Sequence, residues 1–334
     1  MQFTVTTRKW LLVAITIVFF MGSLVFGWAK PVASSIDEQA VITIQPGMST
    51  NDIGELLYQQ NIIKSVILFR VVAKVENMEN SLQAGEYAFA KGMTTQQVVS
   101  MIARGETAYR QITIPEGYTV TQIASLISEQ KLGDSSKFKS LAQNYYPFSY
   151  GEDKPGMVYK AEGYIFPDTY RVPRGTNEMQ LLNMMMTQFD RKLTPEMRDK
   201  AASLGLSISE VVTLASLVEK EAKLDQDRPI IARVFLNRLK QEMPLQSCAT
   251  IQYILGYPKV ELTVEDTQLK SPYNTYQHVG LPPGPIANPG LAAINAVLYP
   301  AESDYLYFVA DKQGAHHFSR TYEEHLAAID KVRN

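Results

Sequence analysis

Cysteine, tryptophan and histidine are scarce in this sequence, and neither sign of charge is in excess. A single cysteine, Cys248, excludes an internal disulfide, and with only four histidines a structural zinc site has few ligands, so no metal or cofactor is expected. The net charge of −2 provides no field for a polyanion, and nucleic-acid binding is not expected. With 46% hydrophobic and 20% charged residues, the 334-residue chain has the composition of a folded protein.

The first 30 residues differ in kind from the rest. An uncharged, mostly apolar stretch covers residues 10–29, about the length that an α-helix needs to cross a bilayer. Arg8 and Lys9 precede it, which predicts a single-pass membrane anchor, with residues 1–9 in the cytoplasm and the remainder outside. A cleaved signal peptide is the alternative, although its apolar region is normally shorter, about 7 to 15 residues.

A repeated pattern follows the apolar stretch. Residues 42–57 (ITIQPGMSTNDIGELL) match residues 112–127 (ITIPEGYTVTQIASLI), and residues 92–102 (GMTTQQVVSMI) form a partial third copy. Each copy has a turn glycine, then a Ser or Thr suited to cap a helix, then an amphipathic helix. Each full copy begins with a β-branched strand.

With a second short helix at residues 65–74, residues 40–105 resemble a LysM-type sugar-binding module. Any small α+β domain with a Pro-Gly turn before a helix would show the same pattern. A sugar-binding module and an ordinary small α+β domain therefore both stay open as interpretations. Residues 106–159 are interpreted as a connecting strand-helix repeat and a junction, with a loop at 137–160. A helix is predicted at residues 179–192, with its methionines in core packing.

The most informative segment runs from residue 207 to residue 239. Leu214, Leu217, Val218 and Glu221 recur at helical spacing, so Glu221 lies on the apolar stripe, whereas Glu219 is turned away toward water or a surface cation. A carboxyl that loses water has a raised pKa and can serve as a general acid near neutral pH. The alternative is a buried Glu221 paired with an arginine of the next helix, Arg233 or Arg238.

Loops rich in polar, aromatic, Pro and Gly residues follow this helical pair, a composition typical of a sugar-binding cleft. Several segments, taken together and in order, resemble the YceG-like, or MltG, family of endolytic murein transglycosylases: residues 217–221 (LVEKE), 234–239 (VFLNRL), 245–246 (LQ), 273–276 (YNTY), 280–284 (GLPPG) and 305–311 (YLYFVAD). The resemblance assigns catalysis to the second Glu of the Glu-x-Glu pair, which is Glu221. Family members often have Asp-Pro where this chain has Cys248 and Ala249, so no acid role is carried over there.

The resemblance implies an α+β fold: a single N-terminal transmembrane helix, the small LysM-like α/β module, and a mixed α+β catalytic domain at residues 160–334 with the catalytic Glu on a helix. It implies non-hydrolytic cleavage of the MurNAc-β-1,4-GlcNAc bond in nascent peptidoglycan strands, which leaves 1,6-anhydro-MurNAc ends. It also implies that the anchor lies in the plasma membrane of a bacterium, where the enzyme works beside membrane-bound synthases. One carboxyl serves as acid and then as base. Candidates for contact with the sugars are Gln246, Asn274, Tyr276, Glu219 and Asp168, and each of the first three could instead stabilise a loop.

Other classes of function stay open. A two-carboxylate muramidase would use Glu221 with Asp168, and a scaffold would bind glycan without turnover. A metal hydrolase on Asp311 and the histidines at 316, 317 and 325 is disfavoured, because adjacent residues of a strand point to opposite faces; His316 and His325 match family positions and His317 does not. Cys248 as a nucleophile would need His278 as its base, and a buried, unreactive thiol is the preferred interpretation.

Overall fold

The computed structural model describes residues 39–259 and 261–333. The predicted cytoplasmic tail and membrane span, residues 1–29, lie outside this range. The described chain is a mixed α+β protein with twelve α-helices and three two-stranded sheets. It divides into two compact units: the first extends to Arg110 and includes Pro173–Gly175, and the second comprises Gln111–Val172 and Thr176–Asn334.

The first unit packs three helices and a short sheet around a core of its own. Strands β1 (Gln39–Ile44) and β2 (Gly85–Ala90) are antiparallel, with Ile42 opposite Tyr87. The helices are α1 (Thr50–Gln59), α2 (Val66–Val75) and α3 (Thr95–Ala103). Its buried core consists of twelve residues: Ile42, Ile44, Ile53, Leu57, Ile63, Phe69, Ala73, Tyr87, Phe89, Val98, Val99 and Ile102.

The second unit contains most of the helices. Strand β3 (Tyr109–Thr113) pairs with β4 (Thr169–Pro173), and β5 (Tyr307–Ala310) with β6 (His316–Ser319). Its helices, in chain order, are α4 (Val120–Glu129), α5 (Ser135–Asn144), α6 (Glu178–Lys192), α7 (Pro195–Ser203), α8 (Ile208–Glu221), α9 (Arg228–Lys240), α10 (Cys248–Leu255), α11 (Leu291–Leu298) and α12 (Tyr322–Arg333).

The helix caps of the repeat are confirmed. Ser49, Thr94 and Thr119 each follow the turn glycine by two residues, and each accepts a hydrogen bond from the backbone three residues on. In all three the side chain at that third position bonds back to the cap, which forms a capping box. The repeat is therefore a strand, turn and capped helix, as predicted, in both full copies.

Residues 111–159, interpreted from the sequence as connecting, lie in the second unit and supply Ile112, Val120 and Ile123 to its core. The loop predicted at 137–160 is wrong over its first third, where α5 continues to Asn144 after an Asp134 cap. The helix predicted at 179–192 is confirmed as α6, and Met185 and Met186 are fully buried, as expected for core packing.

Helix α8 is the centre of the second unit. All residues from Val211 to Val218 are buried, and α9, α10 and α11 pack against the helix. The turn at Gly163 packs against it too: Gly163 has φ +85°, and a Cβ there would lie 2.5 Å from Pro285 and 2.7 Å from Val212. Only glycine fits between these two side chains.

Within residues 39–259 and 261–333, no single helix is long and apolar enough to cross a membrane. The pair α7 and α8, bent by 93°, reaches the required length and composition only when taken together.

Candidate active site

Glu221 is the last residue of α8, and its half-buried carboxyl meets the segment that leads into α10. The Ser247 hydroxyl donates a short hydrogen bond to Glu221 Oε1, and the Ala249 N–H donates a second bond to the same carboxyl. Burial raises the pKa of Glu221, and the two hydrogen bonds offset part of that rise. The site therefore holds a carboxyl that keeps its proton to a higher pH than an exposed glutamate does.

Neither Arg233 nor Arg238, the two α9 arginines considered as partners of Glu221, neutralises this carboxyl. Arg233 Nε donates to the Ala301 carbonyl at 2.7 Å, and Arg238 donates to the carbonyls of Leu306 at 2.6 Å and Leu245 at 3.0 Å. The alternative of a buried Glu221–arginine ion pair is therefore wrong. Arg238 instead fixes the loop that carries Ser247, two residues beyond Leu245.

Glu219 does not face water, which corrects the expectation from helical phase. Its side chain is 7% exposed; it pairs with Arg228 at 3.1 Å and accepts the Gly290 N–H at 3.0 Å. The expected cation is present, but Arg228 is itself largely buried. Glu219 thus links the end of α8 to the starts of α9 and α11. Both of its carboxylate oxygens are engaged in these contacts, which leaves little of the carboxylate for contact with a sugar.

Ser247, which the sequence analysis does not name, is held in place by two threonines. Its N–H donates to Thr275 Oγ1 at 3.0 Å, and its carbonyl accepts the Thr250 hydroxyl at 2.7 Å. The two threonine hydroxyls are 3.0 Å apart. The only signal in the sequence was a run of small polar residues between Leu245 and α10, a pattern that many loops share.

His316, considered from the sequence for a disfavoured metal site and as a match to a family position, is electrostatically coupled to Glu221. Its side chain is 2% exposed, its Nδ1 lies 2.9 Å from Asp227 Oδ2, and its N–H donates to the same oxygen at 2.9 Å. When protonated, His316 lowers the pKa of Glu221 by its charge. The Asp227 carboxylate fixes the ring orientation of a histidine that acts electrostatically on Glu221.

The other histidines have different partners. His317 Nε2 lies 3.1 Å from Asp311 Oδ2, whereas His325 stacks on Tyr307 at 5.3 Å. His316 and His317 thus have separate carboxylate partners, in keeping with adjacent positions on β6. Within the described part of the chain, no group of three or more His, Cys, Asp and Glu residues is arranged to hold a metal ion.

Three of the five candidate sugar ligands, Asn274, Gln246 and Tyr276, have different environments. Asn274 is fully buried; its amide donates to the carbonyls of Thr267 at 3.0 Å and Leu269 at 2.7 Å, so the side chain stabilises the loop. Gln246 is exposed with φ +50°, in the left-handed region that is uncommon for residues other than glycine. The half-buried Tyr276 has its hydroxyl 3.1 Å from Cys248 Sγ. Gln246 and Tyr276 therefore remain candidates beside Ser247.

Cys248 is exposed, so the expectation of a buried thiol is wrong. The pKa of the thiol is raised, chiefly because the surrounding protein limits its hydration, and the Glu221 charge adds to the rise. A raised pKa keeps the sulfur in the thiol form, which is a poor nucleophile. The raised thiol pKa therefore counts against Cys248 as a catalytic nucleophile, although the side chain can be reached from solvent.

Among the described residues, Asp168 has no hydrogen bond or ion pair with Glu221. One carboxylate oxygen accepts the Gln188 amide at 2.8 Å and the other the Thr169 N–H at 2.8 Å. These bonds hold the start of β4 against α6. The placement gives Asp168 a structural use and offers no support for a second catalytic carboxylate.

Glu162 is a buried acid that supports the active site through its hydrogen bonds to neighbouring elements. It accepts the Val120 N–H at 3.0 Å, the Asn288 side-chain amide at 3.0 Å and the Tyr253 hydroxyl at 3.3 Å. Complete burial raises the pKa of Glu162 to about 8. Through Tyr253, this acid holds α10, whose first turn supplies the Ala249 N–H to Glu221.

Together, the fold and the site are those of an α+β enzyme with one carboxyl of raised pKa at the end of a buried helix, a group suited to general acid–base chemistry. The YceG-like family model matches residues 42–331, and the chain belongs to this family.

Relatives and a solved structure agree. An endolytic murein transglycosylase of Bacillus subtilis is 33% identical over 93% of this chain and 90% of its own length. One from Streptococcus pneumoniae is 34% identical over 88% of this chain, which spans 58% of that longer protein. A crystal structure of a yceG-like protein from Listeria monocytogenes matches with a TM-score of 0.61 and 34% identity, over 87% of this chain and 99% of that one.

Proposed function

We propose that this chain is an endolytic murein transglycosylase that cuts within peptidoglycan strands and leaves 1,6-anhydro-MurNAc ends. The observation that carries the proposal is the Glu221 carboxyl, which is half-buried, raised in pKa and without an arginine partner. The names of the relatives at 33–34% identity support the same activity.

Glu221 supplies both proton transfers of the reaction. The protonated carboxyl donates to the glycosidic oxygen as the bond to the MurNAc anomeric carbon breaks and an oxocarbenium-like centre develops. The resulting carboxylate takes the proton from the MurNAc 6-hydroxyl, whose oxygen closes the 1,6-anhydro ring. The proton returns to Glu221, so the enzyme is regenerated without water.

A second carboxylate is not needed for this sequence of steps, and the acids near Glu221 in the chain are otherwise engaged. Glu219 and Asp225 pair with Arg228, and Asp227 pairs with His316. This arrangement favours the transglycosylase over a two-carboxylate muramidase. It also favours an enzyme over a glycan-binding scaffold, which would have no use for a carboxyl with a raised pKa.

The finer parts of the proposal concern location. The apolar residues 10–29 anchor the chain in the membrane, and residues 40–105 bind glycan as a LysM-like module. An enzyme confined in this way acts on nascent strands beside the synthases and terminates their elongation. Deleting residues 40–105 is expected to weaken cleavage of long strands more than of short fragments; an equal loss on both would contradict the glycan-binding assignment.

The test of the activity is the chemistry of the new ends. The full-length protein in detergent is incubated with purified glycan strands, and the products are identified by mass spectrometry. Anhydro ends inside long strands are expected, and Glu221→Gln should form none. Reducing ends would support the muramidase, release of terminal disaccharides alone would refute endolytic cutting, and an absence of products would leave the scaffold.

A further inference from the structure

A second site lies beside Glu221. A cavity of about 470 Å³ in the second unit is lined by the first turn of α4, by α10 and by the loops around Tyr159 and Tyr273. Its volume is in the range of roughly 300–1,000 Å³ in which proteins hold small ligands. Two residues connect it to the active site: Ala249 lines the cavity while its N–H binds Glu221, and Lys220 lines it while preceding Glu221 on α8.

The lining has an unusual charge balance for a chain with net charge −2. Lys220 is its only charged residue, and no Asp or Glu is among the side chains that form the wall. The exposed Lys220 donates a hydrogen bond from its ammonium to the Gly117 carbonyl at 3.3 Å, and its charge also interacts with Glu162, a fully buried acid that does not line the cavity. A ligand with a carboxylate is therefore favoured over a neutral or cationic one.

The rest of the wall suits a peptide. Ile254, Ile286 and Pro258 provide apolar surface, and Thr121 and Gln252 contribute polar side chains. Tyr257, at the rim, is 56% exposed and offers a flat face to a bound group. Mixed apolar and hydrogen-bonding walls of this kind bind short peptides, whose amides and side chains need both.

We propose that this cavity binds the peptide that murein carries on the lactyl group of its muramic acid residues, with a peptide carboxylate at Lys220. Glu221 does not line the cavity, so the sugar being cut lies outside it and a branch of that sugar enters it. The acetyl branch is far smaller than the cavity, and the lactyl peptide is the acidic branch of sufficient size. The inference rests on the proposed function and specifies its substrate as glycan that still bears peptides.

The test compares two substrates that differ only in this branch. Glycan strands bearing peptides, and the same strands stripped by an amidase, are given to the full-length protein, and kcat/KM is measured from the anhydro ends formed. We expect the peptide-bearing strands to be cut about tenfold more efficiently, chiefly through a lower KM, which corresponds to about 1.4 kcal/mol of binding.

Two variants locate the effect. Lys220→Gln and Tyr257→Ala should each reduce the ratio of the two kcat/KM values severalfold, whereas Lys240→Gln, which removes the same charge from an exposed helix end outside the cavity, should keep it. Equal loss on both substrates in Lys220→Gln would show that Lys220 serves the helix end, and would overturn the proposal. The Tyr257→Ala variant, at an exposed position, decides the matter if Lys220→Gln does not fold.

Failure of the peptide site can be distinguished from failure of the proposed function. Equal kcat/KM of the unaltered protein on both strands overturns the peptide site and leaves the transglycosylase in place. If neither strand yields anhydro ends, the proposed function fails and the peptide site falls with it.

Discussion

Two glutamates, two positions apart on α8, have different surroundings, and substitution separates their uses. Glu221→Gln keeps the shape but cannot carry a proton, so the rate should fall by at least 10²- to 10⁴-fold, the usual contribution of one acid–base step. Glu219→Gln breaks the ion pair with Arg228 and should instead destabilise the fold, by about 1–3 kcal/mol.

Anhydro-end formation and urea unfolding, measured on both variants, check this prediction. Comparable rate losses in two equally folded variants would contradict the assignment of catalysis to Glu221 alone.

The Ser247 hydroxyl adjusts the acidity of Glu221, because its hydrogen bond lowers the pKa of that carboxyl. Ser247→Ala should therefore raise the pKa of Glu221 further. The alkaline limb of the pH–rate profile should then move to higher pH. The maximal rate should fall about tenfold, because the carboxyl also loses a positioning contact. Ser203→Ala, which removes a hydroxyl bonded to the Lys200 carbonyl on α7, is the control and should keep the profile. An unshifted alkaline limb in Ser247→Ala would count against this role.

Helical spacing predicted that Glu221 lies on the apolar stripe of α8, and the three neighbours that define this stripe are indeed buried; its catalytic role came from the family resemblance and stays a prediction. The same spacing failed for Glu219. Its direction along the helix was known, but Arg228 and Gly290, which cover it, come from other elements. Ser247 and the His316–Asp227 pair were missed for the same reason, since their contacts join residues 26 and 89 positions apart.

At the scale of elements, the buried Glu162 makes the packing of α4 and α10 sensitive to pH. The pKa of Glu162 is about 8 in the folded protein and near 4.5 in the unfolded chain. Between these two pH values the folded protein keeps a proton on Glu162 that the unfolded chain has released. Its contribution is fully present below pH 4.5 and is lost as pH rises through 8, by about 1.4 kcal/mol per pH unit.

Glu162→Gln, which keeps the shape without the ionisation, should therefore gain stability relative to the unaltered protein as pH rises from 5 to 8. Urea unfolding at each pH measures this difference. If the two proteins show parallel stability curves, Glu162 does not hold its proton in the folded state.

Local signals in the sequence predicted the elements well where a cap and a periodic helix coincide, as at Thr94 and Thr119. They failed at α5, where Phe138, Leu141 and Ala142 recur at helical spacing but the prediction followed the Tyr-, Pro- and Gly-rich residues that come after them; Phe138 and Ala142 pack into the core of the second unit. The grouping of residues 111–159 with the helical unit likewise depends on contacts distant in sequence.

At the scale of the whole molecule, the charges at the start of the chain predict how the proposed membrane anchor is oriented. Arg8 and Lys9 precede the apolar span, so a reporter fused after residue 334 should be active only outside the cytoplasm. The mature N-terminus, read by Edman degradation or mass spectrometry, should be that of the intact chain. Reporter activity inside the cytoplasm would reverse the topology, and a new N-terminus near residue 34 would indicate a cleaved signal peptide.

The exposed Cys248 gives this protein a labelling position that needs no engineering. It is the only cysteine of the sequence, and it lies between Ser247 and Ala249, the two residues that bind Glu221. Because its thiol pKa is raised, a maleimide fluorophore should couple faster at mildly alkaline pH than at neutral pH. A dye attached there would stand at the mouth of the active site, and its emission should change as a glycan strand arrives. Slower coupling of a maleimide to Cys248 in the presence of glycan would report the same occupancy of the active site, with no need to follow fluorescence.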